Sequence, residues 1–533
     1  MPSEGSAQSI ASRTRSILAV RGLSLSGVAR ASRTLFREDV RFHIPPNLYH
    51  ALERRGFSPS IQHLFALSRV SDYRLVDWLA VFGVVLDDIP RLQATLPSRS
   101  TALIDENIYD DQSWALSFQQ TALVPAPGSI HPLQEWLRIG SPRRRAGSNG
   151  SPDSEFIYAK VGCYDAFAFP ELLPGSIVRV AKHKPLDTSQ RPIGPTRSLF
   201  LVEHGKGFAC TRLYVAEGNR VVLCPTHLPF AHVELELERD VRIVGAIDFE
   251  FRPTPVPVCA KVARDLARFW IPAPLENGPS ELRLDYLLRR GRQRSRLTFR
   301  EASAKSGLIA RALGNEEFFC AAGSLSDYET ATQAPRHVHK IFSLCVLYSL
   351  SAWEFLRAMG LRPSEAGKEA MPDELLGRAR PLHLVSTADD GDAAPSQTET
   401  AVAEFPYFFS AAVADLLNLP HLSIRDIFWV QGPRESFHPY LRDAAALIVD
   451  RRKKRITTYR ASPLWAQPSY ILMGRDGTYT CTSCGSDGRT LVMRPFSDGF
   501  KRPARLRRPE DVEVIGRVVG ILRKPSGREL LGR

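Results

Sequence analysis

Along this chain the spacing of apolar positions switches between a helical period and a strand period, and the switch occurs twice in the same order. From Thr14 to Val20, and again from Leu23 to Ser32, apolar residues recur at helical spacing with a short turn between them. Ile61, Leu64, Phe65 and Ser68 then share one helical face, and Trp78 to Gly83 closes a first helical segment. The pattern returns in the second half. There the sequence predicts a helix from Leu297 to Gly307, with Thr298 as N-cap, Glu301 three residues on and Gly307 ending it. Val338, Ile341, Phe342 and Cys345 repeat the apolar face, and Phe355 to Gly360 repeats the closing element.

After each helical segment the period shortens to two. Leu199 to Val202, Val221 to Leu223 and Val233 to Leu237 predict strands in the first half, and Tyr470 to Met473 and Thr490 to Met493 in the second. Pro90 to Asp153 and Ala366 to Phe405 carry turn-forming residues and read as irregular, with Gly140 to Pro152 an exposed basic linker. The expected fold class is α+β and multidomain, two helical domains alternating with two mainly β domains. The predicted boundaries are a helical domain over 1–89, a linker over 90–153, a β domain over 154–255 and a linker over 256–279. A second helical domain over 280–365, a linker over 366–405 and a second β domain over 406–533 complete the chain.

A length of 533 residues, 44% of them hydrophobic and 24% charged, suits several globular cores. The net charge of +13 favours an anionic partner, nucleic acid before an acidic membrane surface. No apolar run approaches the roughly 18 residues that span a bilayer, and the N-terminus lacks an apolar core followed by a cleavage site. A cytoplasmic location without membrane contact is the expectation. The eight cysteines are scattered, and only Cys481 and Cys484 are close. On one strand a step of three would put those thiols on opposite faces, and no second pair completes a zinc site, so no metal and no cofactor is expected.

Chemistry enters with the run from Ser436 to Asp450, a serine followed by Pro439, Leu441 and an aliphatic strand. It resembles the nucleophile turn of LexA-like self-cleaving repressors and their UmuD-type relatives, and Val512 to Ile521 resembles that family's closing strand. Phe167 to Val180 and Asp240 to Ile247 echo both features in the first half, so the resemblance implies a duplicated LexA C-terminal-like domain. Family members deprotonate the serine with a buried lysine on a neighbouring strand. Here Phe167 takes the place of the serine in the first copy, while Thr211 and Thr482 take the place of the lysine in the two copies. A threonine hydroxyl is no general base near neutral pH, so the resemblance implies a pseudo-peptidase, not an enzyme. Lys453, Lys454 and His438 are the candidates for a substitute base, which would leave a peptidase acting through Ser436.

Leu297 to Gly307 in turn resembles the second helix and turn of the phage-repressor (Cro-type) helix-turn-helix family. Ser324 to Glu329 looks like the end of its recognition helix, after an insertion over 308–323, and Asn47 to Glu53 is the counterpart in the first half. Asn47, His50, Ser324 and Ser326 are the candidates for contacts within a groove. Arg289, Arg290, Arg292, Arg294, Arg296 and Arg300 are the candidates for phosphate contacts. The resemblance implies a repressor-type transcriptional regulator of double-stranded DNA, built as a tandem pseudo-dimer. Its β domains would serve assembly, pairing within the chain or as a homodimer. The rival readings are the serine peptidase and a protein-interaction scaffold without DNA binding.

Overall fold

The structure, a computed structural model, describes residues 10–48, 59–86, 88–104, 130–132, 156–182, 198–216, 218–226, 228–254, 271–275, 283–376, 417, 419, 426–430, 444–456, 468–487, 490–493 and 504–523. It is of mixed α and β type and divides into two compact units. One gathers residues 1–93, 105–109 and 277–381, and the other residues 94–104, 110–276 and 382–533. Helical and β segments alternate along the sequence, yet each kind collects with its own.

In the helical unit, α1 (Ile10–Val20), α2 (Leu25–Leu35), α3 (Ile61–Ser71), α4 (Leu75–Val81) and α5 (Asp88–Thr95) come from the first half. The second half supplies α6 (Leu284–Arg294), α7 (Phe299–Leu313), α8 (Ala322–Glu329), α9 (Val338–Tyr348), α10 (Ala352–Ala358) and α11 (Asp373–Leu376). The two sets are built alike. Ser24 caps α2 through the Gly27 amide, and Thr298 caps α7 through the Glu301 amide, with Glu301 returning the bond. Downstream, Ser32 Oγ accepts from the Ile44 amide at 3.0 Å, and Ser306 Oγ from the Cys320 amide at 2.8 Å.

The halves meet where α3 and α9 begin. Their N-cap residues, Ser60 and His337, form an antiparallel bridge, and the Ile61 amide donates to the Arg336 carbonyl at 2.9 Å. Because corresponding residues pair with each other, the contact is two-fold in character, like that of an isologous dimer. Each half also lends a trailing segment to the other. Gln93 of α5 donates to the Cys345 carbonyl of α9 at 3.1 Å. In return, Glu369 bridges Tyr73, the Met371 amide reaches the buried Asp77 carboxylate at 3.0 Å and the Gly367 amide reaches Ser68 Oγ at 2.9 Å.

Two expectations are corrected here. Helix α7 does not stop at Gly307 but runs on to Leu313, where Gly314 supplies the left-handed cap at φ 65°. A mid-helix glycine costs about 1 kcal/mol relative to alanine, less than burying Ile309 and Ala310 on the next turn returns. Nor is the chain irregular from Pro90 onward. Pro90 lies in the first turn of α5, where its missing N–H breaks no helical bond. Beyond α5, β1 (Ala102–Ile104) and β2 (Ile130–Pro132) pair with strands of the β unit.

That unit continues with β3 (Phe156–Lys160), β4 (Ile177–Ala181), β5 (Leu199–His204), β6 (Gly207–Ala216), β7 (Arg220–Cys224), β8 (Val233–Glu236) and β9 (Val241–Pro253). The second half adds β10 (Ile427–Val430), β11 (Ala444–Asp450), β12 (Tyr470–Gly474), β13 (Tyr479–Thr482), β14 (Cys484–Asp487), β15 (Thr490–Met493), β16 (Ala504–Arg507) and β17 (Val512–Arg523). The long strand β9 pairs antiparallel with β4 and β5, as β17 does with β11 and β12. Even the irregularities repeat. Ladder shifts opposite the Gly245 region of β9 recur opposite Gly516 of β17, and those near Phe249 recur near Gly520.

The two β copies join edge to edge. β9 and β17 pair antiparallel with Phe251 opposite Leu522, the two residues that correspond in the repeat. Beside that pair Glu250 is fully buried. Its carboxylate accepts from Ser176 Oγ at 2.7 Å, Arg252 Nε at 3.0 Å and Arg523 Nε at 2.6 Å. Burial would raise the Glu250 pKa, but Arg252, Arg523 and the Ser176 hydroxyl hold it down at about 2. Arg252 and Arg523 both also donate to the Glu171 carbonyl.

The carboxylate is therefore favoured in the folded state relative to its ordinary 4.5. Its contribution to stability is complete above that value and is lost as pH falls through about 2. We predict that Glu250→Gln, which strands two buried guanidinium groups, lowers unfolding free energy by about 3 to 5 kcal/mol. Urea titrations at pH 7 measure this. The same titrations from pH 5 down to pH 2 should show the variant losing less stability than the parent.

Candidate nucleic-acid interface and candidate catalytic positions

The positions assigned to a serine–lysine dyad lie in apolar surroundings. Phe167 is fully buried and stacks on Phe230 at 5.8 Å, in a core shared with Phe200, Val202 and Leu213. Thr211 is fully buried on β6, its Oγ1 2.8 Å from the Arg212 carbonyl and 3.2 Å from that of Cys224. Thr482 occupies the corresponding place on β13. Thr211 pairs with Phe200 of β5 as Thr482 pairs with Tyr470 of β12. Its Oγ1 donates to the Ser483 carbonyl at 3.2 Å. Both hydroxyls are thus spent on backbone carbonyls, and neither can accept a proton from a nucleophile near neutral pH. Ser436 and His438 lie outside the described residues.

The basic run that held two further candidate bases is occupied with carboxylates. Lys453 pairs with Asp450 at 3.1 Å, Lys454 with Glu513 at 3.2 Å, and Arg452 Nε with Asp450 at 2.9 Å. The two close cysteines do not share a strand. Cys481 belongs to β13 and the core around Phe428 and Leu447, Cys484 to β14 and the core around Tyr470 and Leu491. Burial raises both thiols, Cys484 to about 12, so neither is a thiolate at neutral pH. Among the described residues, no three His, Cys, Asp or Glu side chains gather to hold a metal ion.

In the helical unit the candidate phosphate contacts divide. Arg292 is used internally. Its Nε lies 2.8 and 3.0 Å from the two oxygens of the buried Glu329 carboxylate, and its Nη1 donates to the Leu297 carbonyl at 3.0 Å. Its guanidinium sits 4.2 Å above the Phe299 ring. Tyr348 also reaches Glu329, at 3.4 Å, and burial followed by that carboxylate raises the Tyr348 pKa. Arg292 thereby ties α6 to the end of α8, which fixes the angle of the candidate recognition helix.

Arg289 is exposed, with Nη2 donating to the Glu329 carbonyl at 3.1 Å. Arg296 and Arg300 are exposed at the α6–α7 turn and the first turn of α7, and Arg290 and Arg294 are half-buried on α6. Ser324 and Ser326 are half-buried on α8. In the first half Asn47 is exposed, while His50 lies outside the described residues.

Sequence reasoning missed Ser176, Glu250, Arg252 and Arg523. The available signal was Glu250 and Arg252 alternating with Phe249 and Phe251, charges facing one side of a strand whose other side is aromatic.

No protein-family model matches the chain, and no curated protein matches it. A solved structure of Streptomyces albus HEPD, with its substrate 2-hydroxyethylphosphonate and Fe(II) bound, aligns over 97% of this chain and 92% of its own at 11% identity. Its TM-score of 0.11 is too low to carry any argument about fold or activity. No helix among the described residues is long and apolar enough to cross a membrane.

The internal and exposed arginines predict different phenotypes. Arg292→Ala removes the partner of a buried carboxylate and should cost about 3 kcal/mol of stability, whereas Arg300→Ala should stay within about 0.5 kcal/mol of the parent. Denaturant midpoints of the two variants check this.

Proposed function

We propose that the chain is a DNA-binding regulator of repressor type in which one polypeptide supplies both heads of what is ordinarily a dimer. The observation that carries this reading is the antiparallel bridge between Ser60 and His337, corresponding N-cap residues of two like helical modules. Operators are read by two modules related by a two-fold axis, each placing a helix in the major groove. The capped helices α6 and α7, the helix α8 held by Arg292, and exposed Arg289, Arg296 and Arg300 beside them support such a head.

On this reading the β domains are LexA-like in descent, hold the halves together through β9 and β17, and have lost self-cleavage with Thr211 and Thr482 in the base positions. The net charge of +13 supplies the long-range attraction to a polyanion.

Phosphate contacts reveal themselves through salt. Each one adds close to one unit to the fall of log affinity against log salt. Replacing Arg296 and Arg300 by Ala should reduce that slope by about two in fluorescence-anisotropy titrations of a labelled duplex. Unchanged slope and affinity would place DNA elsewhere, and absence of duplex binding by the parent protein at low salt would favour a protein-interaction scaffold.

A further inference from the structure

We propose that the duplex this protein reads is non-palindromic, with one half-site matched to each of two unlike heads. This rests on the reading of the helical unit as a DNA-binding unit and goes beyond it. The register that relates the halves is fixed by their backbone features. Ser24 and Thr298 are the N-caps of α2 and α7, and Gly22 and Arg296 are the left-handed residues just before them, at φ 65° and 52°.

In that register, and with two and then three more residues in the second half past Ser306, the buried positions stay close in kind. Ser32 matches Ser306, Phe42 matches Phe318, Phe65 matches Phe342 and Leu79 matches Leu356, all of them buried. The outward positions agree only in part: exposed Arg15 and Arg37 match exposed Arg289 and Arg311, and others differ. On α1 and the start of α2 the first half has Ser16, Val20, Gly22 and Ser26. The second half has Arg290, Arg294, Arg296 and Arg300 in their places.

The difference reverses further along. Arg30 and Arg33, both exposed on α2, stand where α7 has Ala304 and Gly307. Neither head is simply the weaker copy. Beyond the shared Arg15/Arg289 and Arg37/Arg311 positions, each presents guanidinium groups from a part of the scaffold that the other leaves without them, so the sets of phosphates they reach differ. Two heads docking differently read different base pairs, and an inverted repeat would satisfy at most one of them.

Arg296 adds an observation of another kind. Glycine is the unstrained occupant of a left-handed turn, and the first half uses it there as Gly22. The second half holds an exposed arginine at φ 52° instead. Arginine is the costlier occupant of such a turn, and a charge needed on one head and not on the other offsets that cost. Arg292, which pairs with Glu329, is one-sided as well, since buried Leu18 stands in its place in the first half.

The test is selection of bound duplexes from a randomised pool by the full-length protein at near-physiological salt, followed by binding of duplexes in which one block of the recovered motif is scrambled. The expected motif has two unlike blocks in fixed order and spacing. The Arg296→Ala, Arg300→Ala double variant should then lose several-fold affinity on the parent duplex and on the duplex keeping only its own block, and distinctly less once that block is scrambled and only non-specific phosphate contact remains. Arg30→Ala with Arg33→Ala should show the opposite dependence. Recovery of an inverted repeat, or equal sensitivity of both double variants to either block, would overturn the asymmetric site while leaving DNA binding intact. A pool from which the protein retains no duplex would instead overturn the reading on which the proposal rests.

Discussion

The antiparallel pairing of β9 with β17, centred on Phe251 and Leu522, is the constraint on which the β unit depends. Each β copy would otherwise expose the end of its longest strand, an edge of unpaired N–H and C=O groups open to other chains. Pairing corresponding strands closes both edges at once and makes one sheet continuous through the two copies. The charged cluster beside the axis makes that closure specific. Arg252 and Arg523 correspond in the repeat, but Glu250 faces both, and its own counterpart is Ile521. Two copies of β17 paired together would bury arginines with no carboxylate between them, a cost of several kcal/mol. The sequence asymmetry thus disfavours one of the alternative pairings between chains, and the covalent link raises the local concentration of the right one.

The helical unit repeats this logic with other chemistry. Ser60 and His337 pair at the helix starts, and each half lends its trailing segment to the other, through Gln93 of α5 in one direction and Glu369 and Met371 in the other. Such reciprocal exchange is what a domain-swapped homodimer does, carried out within one chain. Pairing within each kind of module lets one chain alternate helical and β segments along its length and still gather them into two units.

Much of the local structure was legible because it follows from period and caps. The faces of α3 and α9, the cap of α7 by Thr298, and strands β5, β7, β12 and β15 are written in neighbouring residues. The assignment of Thr211 and Thr482 to one structural position was also legible, since turns and strands kept register through both copies. What escaped was set by partners distant in sequence. Gly307 reads as a helix stop until the burial of Ile309 and Ala310 is known, and Arg292 reads as surface charge until Glu329 is placed beside it. Glu250 and Arg523, far apart in the sequence, have meaning only together.

One chain supplies both members of each paired module, where a homodimer would need two chains. The most direct measurement is the mass of the complex between the full-length protein and a bound duplex, by native mass spectrometry or sedimentation velocity, over a range of protein concentrations. One chain per duplex, with the free protein remaining a monomer across that range, is the predicted result. Two chains on each duplex, or a free protein that dimerises through its β domains, would contradict it.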